Sequence, residues 1–348
     1  MATMADVARL AGVSVKTVSN VLNDYPYIRA ETRDKVLAAV AELGYQVNHT
    51  ARSLRSGRTG MIGLAVPELG QPYFGQLADE VLAAGRRHDV QVIIEPTGYS
   101  REGEIAALRE ITRRPVDGLL LSPAMLTQED AALLEQVELP LVLLGEQIFN
   151  PKVDHVTMRN EEGARAATEL LLSRGRRRIA VIGLLHKLGA GASDLRFEAY
   201  RSVLEEHGIE PDPRLFGWSD EGWHRGHGAR AMAAILDSGV EVDGVFAFND
   251  ALALGAMSEL QARGMSVPGD VAVVGFDNIE DAAFSQPTLT TVDAGRREIA
   301  ETAVDLLCRR IEERAAARAG RAVEPAPPVL HLAELEIVER ESTPPRPR

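Results

Sequence analysis

The chain has 348 residues, 45% hydrophobic and 26% charged, which is enough for two or more folding units of ordinary globular composition. No apolar run approaches the roughly 18 residues of a membrane span, and Asp6 stands where a secretory signal needs an uncharged stretch, so a cytoplasmic location is expected. The net charge of −13 is unevenly spread: residues 1–60 hold eight Lys or Arg against five Asp or Glu, a surplus of +3 that leaves −16 for the rest. A basic head on an acidic body confines contact with nucleic-acid phosphates to the head and makes affinity fall as salt rises.

In chain order, Met4, Val7, Ala8 and Ala11 fall at i, i+3, i+4 and i+7, one apolar stripe of a short helix that Gly12-Val13-Ser14 interrupts. Ser14 can cap a second helix in which Val18, Val21 and Leu22 face inward, while Val15, Lys16, Ser19 and Asn20 share the opposite face. Small Ala8 lets the two helices cross closely and Gly12 allows the sharp turn. The short polar face fits a helix laid in a DNA major groove, so the pair reads as a helix-turn-helix. Tyr25, Pro26 and Tyr27 mark a loop, and Val36, Leu37, Val40 and Leu43 form a third stripe that Gly44 ends. Three such helices leave a head with little core of its own. Residues 48–59, NHTARSLRSGRT, are polar and basic around one large apolar residue, Leu54, and bury too little to order alone.

From Met61 onward, short apolar runs (MIGLAV, VQVIIE, GLLLS, LVLL, IAVI, GVFAF, VAVVG) alternate with helical segments such as 73–88, 161–173, 196–207, 251–263 and 296–313. This alternation builds parallel sheets with helices on both faces, and ligands bind beyond the carboxyl ends of the strands. Cys308, the single cysteine, excludes an internal disulfide and sits among Val304, Leu307 and Ile311 as part of a buried helix face.

The segments ADVARLAGVSVKTVSNVLN, ETRDKVLAAVAELGYQVN and ARSLRSGRTG resemble the lactose/galactose repressor family of bacterial transcription factors almost position by position, and the likeness continues through the whole chain. The resemblance implies a small all-α helix-turn-helix head plus an α/β core of two parallel-sheet subdomains of the periplasmic-binding-protein type. The expected division is a DNA-binding domain over 1–47, a hinge over 48–59 and an effector-binding and dimerisation core over 60–341. Within the core, subdomain one takes about 60–158 and 293–324 and subdomain two about 159–291 and 329–341, with crossovers near Arg159, near Val292 and around 322–329. Residues 342–348 are expected to be a disordered tail. On DNA, Ser14, Val15, Lys16, Thr17, Ser19, Asn20 and Asn23 are the expected contacts of the head. Ala51, Arg52, Leu54 and Arg55 match the family's hinge pattern, with Leu54 as a wedge at the central base step of a palindromic operator bound by a homodimer.

The resemblance also supplies effector residues, each supported by its chemistry. Tyr73 and Phe74 offer aromatic faces for a sugar or base ring after a strand-to-helix corner. Arg196 offers a planar fork, Asp277 can accept two hydroxyl hydrogen bonds, and Asn249 and Asp250 follow a parallel strand that delivers side chains to the cleft, with capping of the next helix as the structural alternative. Trp218 is a candidate stacking wall. Arg159 stands where relatives carry Asp; with Arg196 it would give two cations favouring an acidic or phosphorylated sugar, unless it forms an ion pair elsewhere. Gly145-Glu146 lacks the acid–aromatic pairing of some purine-responsive members, which argues against a purine.

Enzyme signals are weak. Gly189-Ala190-Gly191 lacks the third glycine of a dinucleotide loop, and His224 and His227 lack a third metal ligand. The expected function is a ligand-responsive repressor with a carbohydrate-like effector and no cofactor or metal. A cytoplasmic sugar-binding receptor without gene regulation is the alternative that lacks catalysis, and sugar phosphorylation is the enzymatic one.

Overall fold

A computed structural model describes residues 2–22, 25, 27–45, 58–148, 152–186, 191–219, 222–322, 324, 326–343. Asn23 and the hinge candidates Ala51, Arg52, Leu54 and Arg55 lie outside the described residues, as do Gly189 and Ala190. The chain forms two compact units, residues 1–59 and 60–348.

The first unit holds three helices, α1 (Met4–Ala11), α2 (Val15–Leu22) and α3 (Ala30–Leu43). Thr3 and Asp6 form a capping box at the start of α1, and Gly12 closes the helix in the left-handed region at φ 66°. Ser14 Oγ accepts from the Thr17 amide at 3.1 Å and so caps α2. Val7, Ala8, Val18, Val21, Val36, Ala39 and Tyr45 close the core between the three helices. The third stripe needs correction: Leu37 is exposed, and Ala39 takes the inward place beside Val36.

The second unit is built on two six-stranded sheets. Strands β1 (Met61–Val66), β2 (Gln91–Pro96), β3 (Gly118–Leu121), β4 (Leu141–Leu144), β5 (Asp154–Thr157) and, late in the chain, β11 (Leu330–Leu332) form sheet one in the order β11-β5-β4-β3-β1-β2. Every pair in it is parallel. Sheet two has the order β12-β10-β9-β8-β6-β7, from β6 (Ile179–Leu184), β7 (Phe216–Trp218), β8 (Gly244–Ala247), β9 (Ala272–Phe276), β10 (Thr290–Asp293) and β12 (Glu336–Val338). Only β12, against β10, runs antiparallel in it. The helices on these sheets are α4 (Pro72–Arg87), α5 (Arg101–Arg113), α6 (Ala131–Leu134), α7 (Asn160–Ser173), α8 (Ala192–Glu206), α9 (Arg225–Asp237), α10 (Asp250–Ala262), α11 (Glu280–Phe284) and α12 (Arg296–Arg318). Strands buried on both faces explain the near-continuous apolar runs in the sequence. Cys308 is buried on α12, as its neighbours imply.

The chain passes between the sheets at residues 158–159, 294–295 and 333–335. The third passage corrects the boundary expected at 322–329. Residues 326–328 form a loop still tied to sheet one, because Arg310 on α12 donates to the Ala326 and Pro327 carbonyls at 2.6 and 2.9 Å and pairs with Asp154 at the start of β5. Leu330–Leu332 then adds a strand beside β5, and the crossing follows it. The expected disordered tail begins too early as well. Ser342 is fully buried; its backbone bonds Thr288 and Val273, and its hydroxyl donates to the Val273 carbonyl at 2.6 Å. Thr343 is buried against Thr290, so the fold extends at least that far.

Helices α9 and α10 cross with backbone against backbone, which two glycines permit. A Cβ on Gly255 would overlap the Arg225 carbonyl oxygen, and one on Gly228 would overlap the Leu252 backbone. Backbone at a helix crossing cannot yield as a side-chain tip can. Gly255→Ala should therefore destabilise the second unit by about 2–3 kcal/mol. The check is the midpoint of urea unfolding, and a midpoint equal to the parent's would contradict this crossing.

Candidate effector cavity and DNA-reading surface

The carboxyl ends of the strands in both sheets enclose a cavity of about 620 Å³. Sheet one delivers Ser122 after β3, Glu146 after β4 and Met158 after β5, and α4 adds Tyr73 and Phe74 from its first turn. Sheet two delivers His186 after β6, Asn249 after β8 and Asp277 after β9. The wall is mostly apolar with a few polar groups converging on it, the usual make-up of a small-molecule site.

Each aromatic wall is fixed from behind. Pro72 starts α4, so Tyr73 and Phe74 are presented rigidly, edge to face at 5.3 Å. Trp223 lies just before the N-cap of α9; its Nε1 donates to the Gly183 carbonyl at 3.1 Å, and its own carbonyl accepts from Asn249 Nδ2 at 3.1 Å. Behind the loop after β3, the buried Glu104 carboxylate accepts from the amides of Ala124, Met125 and Leu126 at 2.7–2.9 Å and holds that wall in place.

Arg196, on α8, is buried and tied to the strand ends at Met158 and Phe248 and to the first residue of α7. Its Nε donates to Asn160 Oδ1 at 2.8 Å, Nη1 donates to the Phe248 carbonyl and Nη2 points at Met158 Sδ at 3.0 Å. The guanidinium lies 3.6 Å from the Phe276 ring centre. Burial lowers its pKa, and Asp277 and Glu146 counter that effect by favouring the cation.

Asp277 sits in an unusual corner. It has φ 104° and Asn278 has φ 49°, two successive residues in a region that side chains disfavour. The corner is held by several bonds at once. The Asp277 amide donates to the Val292 carbonyl, Arg296 donates to the Asp277 and Asn278 carbonyls, and the Ile279 amide donates to buried Asp250 at 2.8 Å. The Asp277 carboxyl itself is buried and accepts no hydrogen bond among the described residues. Burial pushes it up to about 7, against the pull of Arg196 and Arg296.

Of the seven effector candidates, five line this cavity: Tyr73, Phe74, Arg196, Asn249 and Asp277. Asn249 does so with its side chain engaged, since its Oδ1 caps α10 at the Leu252 amide. Arg159 does not line it; its guanidinium lies 3.5 Å from Glu162 and 3.8 Å from Glu334, because as N-cap of α7 it turns toward that helix's first turn. Trp218 is also outside the cavity wall; it ends edge strand β7, 44% exposed, stacked on His186. Trp223 occupies the wall instead. The signal for it was position: like Tyr73, it directly precedes or opens a helix at a strand-to-helix corner. Glu146 was read only as a departure, yet it lines the cavity and accepts from Asn160 at 3.1 Å. Asp250 is structural, accepting from Thr291 Oγ1 at 2.5 Å and from Ile279. His224 pairs with Glu68 at 2.7 Å and its amide donates to His227 Nδ1.

In the first unit, Val15 and Lys16 are exposed at the start of α2, and Thr17, Ser19 and Asn20 are partly exposed along it. Ser14 spends its hydroxyl on the cap.

A helix-turn-helix in the same chain as a ligand cavity between two parallel sheets is the build of a ligand-responsive transcriptional regulator, not of an enzyme. Residues 3–48 match the model of bacterial regulatory proteins of the lacI family, and residues 168–343 match that of the periplasmic binding protein-like domain. The HTH-type transcriptional repressor PurR of Vibrio atlanticus is 33% identical over 90% of this chain and 93% of its own length. Among solved structures, a putative transcriptional regulator of LacI family from Sanguibacter keddieii is 48% identical with a TM-score of 0.72, covering 82% of this chain and 98% of its own. The transcriptional regulator CelR–cellobiose complex is 31% identical at TM-score 0.70, over 98% and 100% of the two chains. The Lac repressor dimer bound to operator and the anti-inducer ONPF is 27% identical at TM-score 0.80, over 98% and 99%. The chain belongs to the lacI family of bacterial transcriptional regulators. No helix among the described residues is long and apolar enough to cross a membrane.

The Asp277 carboxyl should leave a pH signature. Its proton is held up to a pKa of about 7 in the folded chain against an unfolded value of about 3.9, so its contribution to stability is complete below pH 4 and is lost as pH rises through 7. Relative to Asp277→Asn, the parent should lose on the order of 2–3 kcal/mol between pH 5 and pH 8. Urea titrations of both proteins at the two pH values test this; parallel losses would mean that the carboxyl titrates normally.

Proposed function

We propose that this chain is a cytoplasmic repressor that binds a palindromic operator as a homodimer and is controlled by an uncharged, hydroxyl-rich effector of carbohydrate type. The observation that carries the effector class is the buried Asp277 carboxyl, which accepts no hydrogen bond among the described residues and lines a cavity with Tyr73, Phe74 and Trp223. Sugar hydroxyls would supply the missing donors, and the aromatic rings would cover the apolar faces of the sugar. Arg159 is turned away and Arg196 has each nitrogen engaged, so support for an acidic or phosphorylated sugar is lost. The sugar complex of CelR and the operator complex of the Lac repressor dimer favour the same reading.

On DNA, Lys16 and Asn20 read bases from α2, with lysine suited to guanine and asparagine to adenine. Leu54, flanked by Arg52 and Arg55, acts as the minor-groove wedge. Effector and operator are linked because a ligand that bridges the two sheets favours one relative angle between them, and that angle sets the spacing of the paired hinges.

Operator titration by fluorescence anisotropy, with and without effector, tests the link. Asp277→Ala should bind operator like the parent but lose the roughly 1–3 kcal/mol of coupling typical of such switches. A full response in the mutant would place the ligand elsewhere. Separately, Asn20→Arg should change the preferred base at one symmetric pair of operator positions by roughly 1–3 kcal/mol. Unchanged sites selected from a random library would sink the groove assignment.

A further inference from the structure

Trp218 has a second reading once the cavity is seen. It is the last residue of edge strand β7, paired in register with Leu184 at the end of the neighbouring parallel strand β6, and His186 lies two residues beyond that end. Both side chains therefore emerge at the same strand ends that supply Asn249 and Asp277. His186 lines the cavity, and its ring lies 3.7 Å from the Trp218 ring, tilted by only 19°. The stack carries the cavity wall outward to an indole that remains 44% exposed. A stacked ring covers one face of the indole only, so the pair is a flat apolar platform already ordered at the cavity rim.

We propose that the His186–Trp218 stack is an outer subsite of the effector cavity, taking a further sugar ring of an uncharged oligosaccharide whose first ring lies over Asp277. The proposal rests on the carbohydrate reading above. A pyranose offers an apolar C–H face to such a platform while its hydroxyls remain in water, which a small single-ring ligand held at Asp277 cannot do. The cavity volume of about 620 Å³ sits mid-range for sites that enclose drug-sized molecules and leaves room beyond one ring.

The test is calorimetric titration of the full chain with glucose, cellobiose, cellotriose, maltose and maltotriose, for the parent, Trp218→Ala and Trp218→Phe. At least one oligosaccharide should bind the parent about tenfold more tightly than glucose, the scale of one good aromatic contact. Trp218→Ala should remove that gain while changing glucose affinity by less than about twofold, and Trp218→Phe should retain most of it. Thermal unfolding should be the same in all three proteins, because the indole is at the surface. Undiminished oligosaccharide gain in Trp218→Ala would overturn the subsite and leave the carbohydrate reading standing. So would a parent that binds glucose with no gain from chain length. A parent that binds none of the five would overturn both.

Discussion

Arg196 is a cation with almost no access to water, and the arrangement of sheet two follows from what it needs. An ion so placed is tolerated only when its donors and its charge are met. Asn160 meets the Nε from the first turn after one inter-sheet passage, Met158 from within that passage, and the Phe248 carbonyl from the end of β8. Phe276 supplies the ring beneath it from the end of β9. One side chain thus fixes the relative positions of the elements that carry Asp277, Asn249 and Trp223. Removing it would leave the Asn160 side-chain oxygen and the Phe248 carbonyl without this donor, so its role as a frame comes before any role toward a ligand.

The strained pair Asp277 and Asn278 is the counterpart of that frame. Two residues with side chains in the left-handed region cost energy that the surrounding bonds from Arg296, Thr291, Asp293 and Arg340 must offset. The effect is to aim a carboxyl into an apolar space that it would otherwise avoid. Burial raises its pKa to about 7, against the pull of Arg196 and Arg296.

Much of this was legible in the sequence, for identifiable reasons. The helix-turn-helix showed through the 3.6-residue spacing of Val7, Ala8, Val18 and Val21 and through two short-range signals, Gly12 and Ser14, that need no tertiary context. The parallel sheets showed because strands covered on both faces read as unbroken apolar runs. Tyr73, Phe74, Arg196, Asn249 and Asp277 came with the family likeness, and parallel strand ends gave each a reason. The misses share a different cause, since each depended on long-range pairing. Whether Arg159 turned inward was decided by Glu162 and Glu334, and the last inter-sheet passage by the grip of Arg310 on carbonyls next to prolines. Choosing between Trp218 and Trp223 required knowing which one ends a strand and which one opens a helix. Ser342 read as tail because nothing local announces that its hydroxyl bridges the beginnings of β9 and β10, donating to the Val273 carbonyl and accepting from the Thr290 amide.

The three passages between the sheets, at residues 158–159, 294–295 and 333–335, are only two or three residues long. Three short tethers anchored at separate points resist sliding and twisting of one sheet against the other far more than they resist bending about the line of the tethers. Motion of the core is thereby reduced to something close to a single mechanical coordinate, an opening angle. A molecule entering the cavity, whatever its detailed shape, is translated into one value of that angle, and the same number is what the far end of the core can transmit. Such a device discards most of the chemical detail of what it binds. That would let one scaffold be refitted with new wall residues while its output stage stays unchanged.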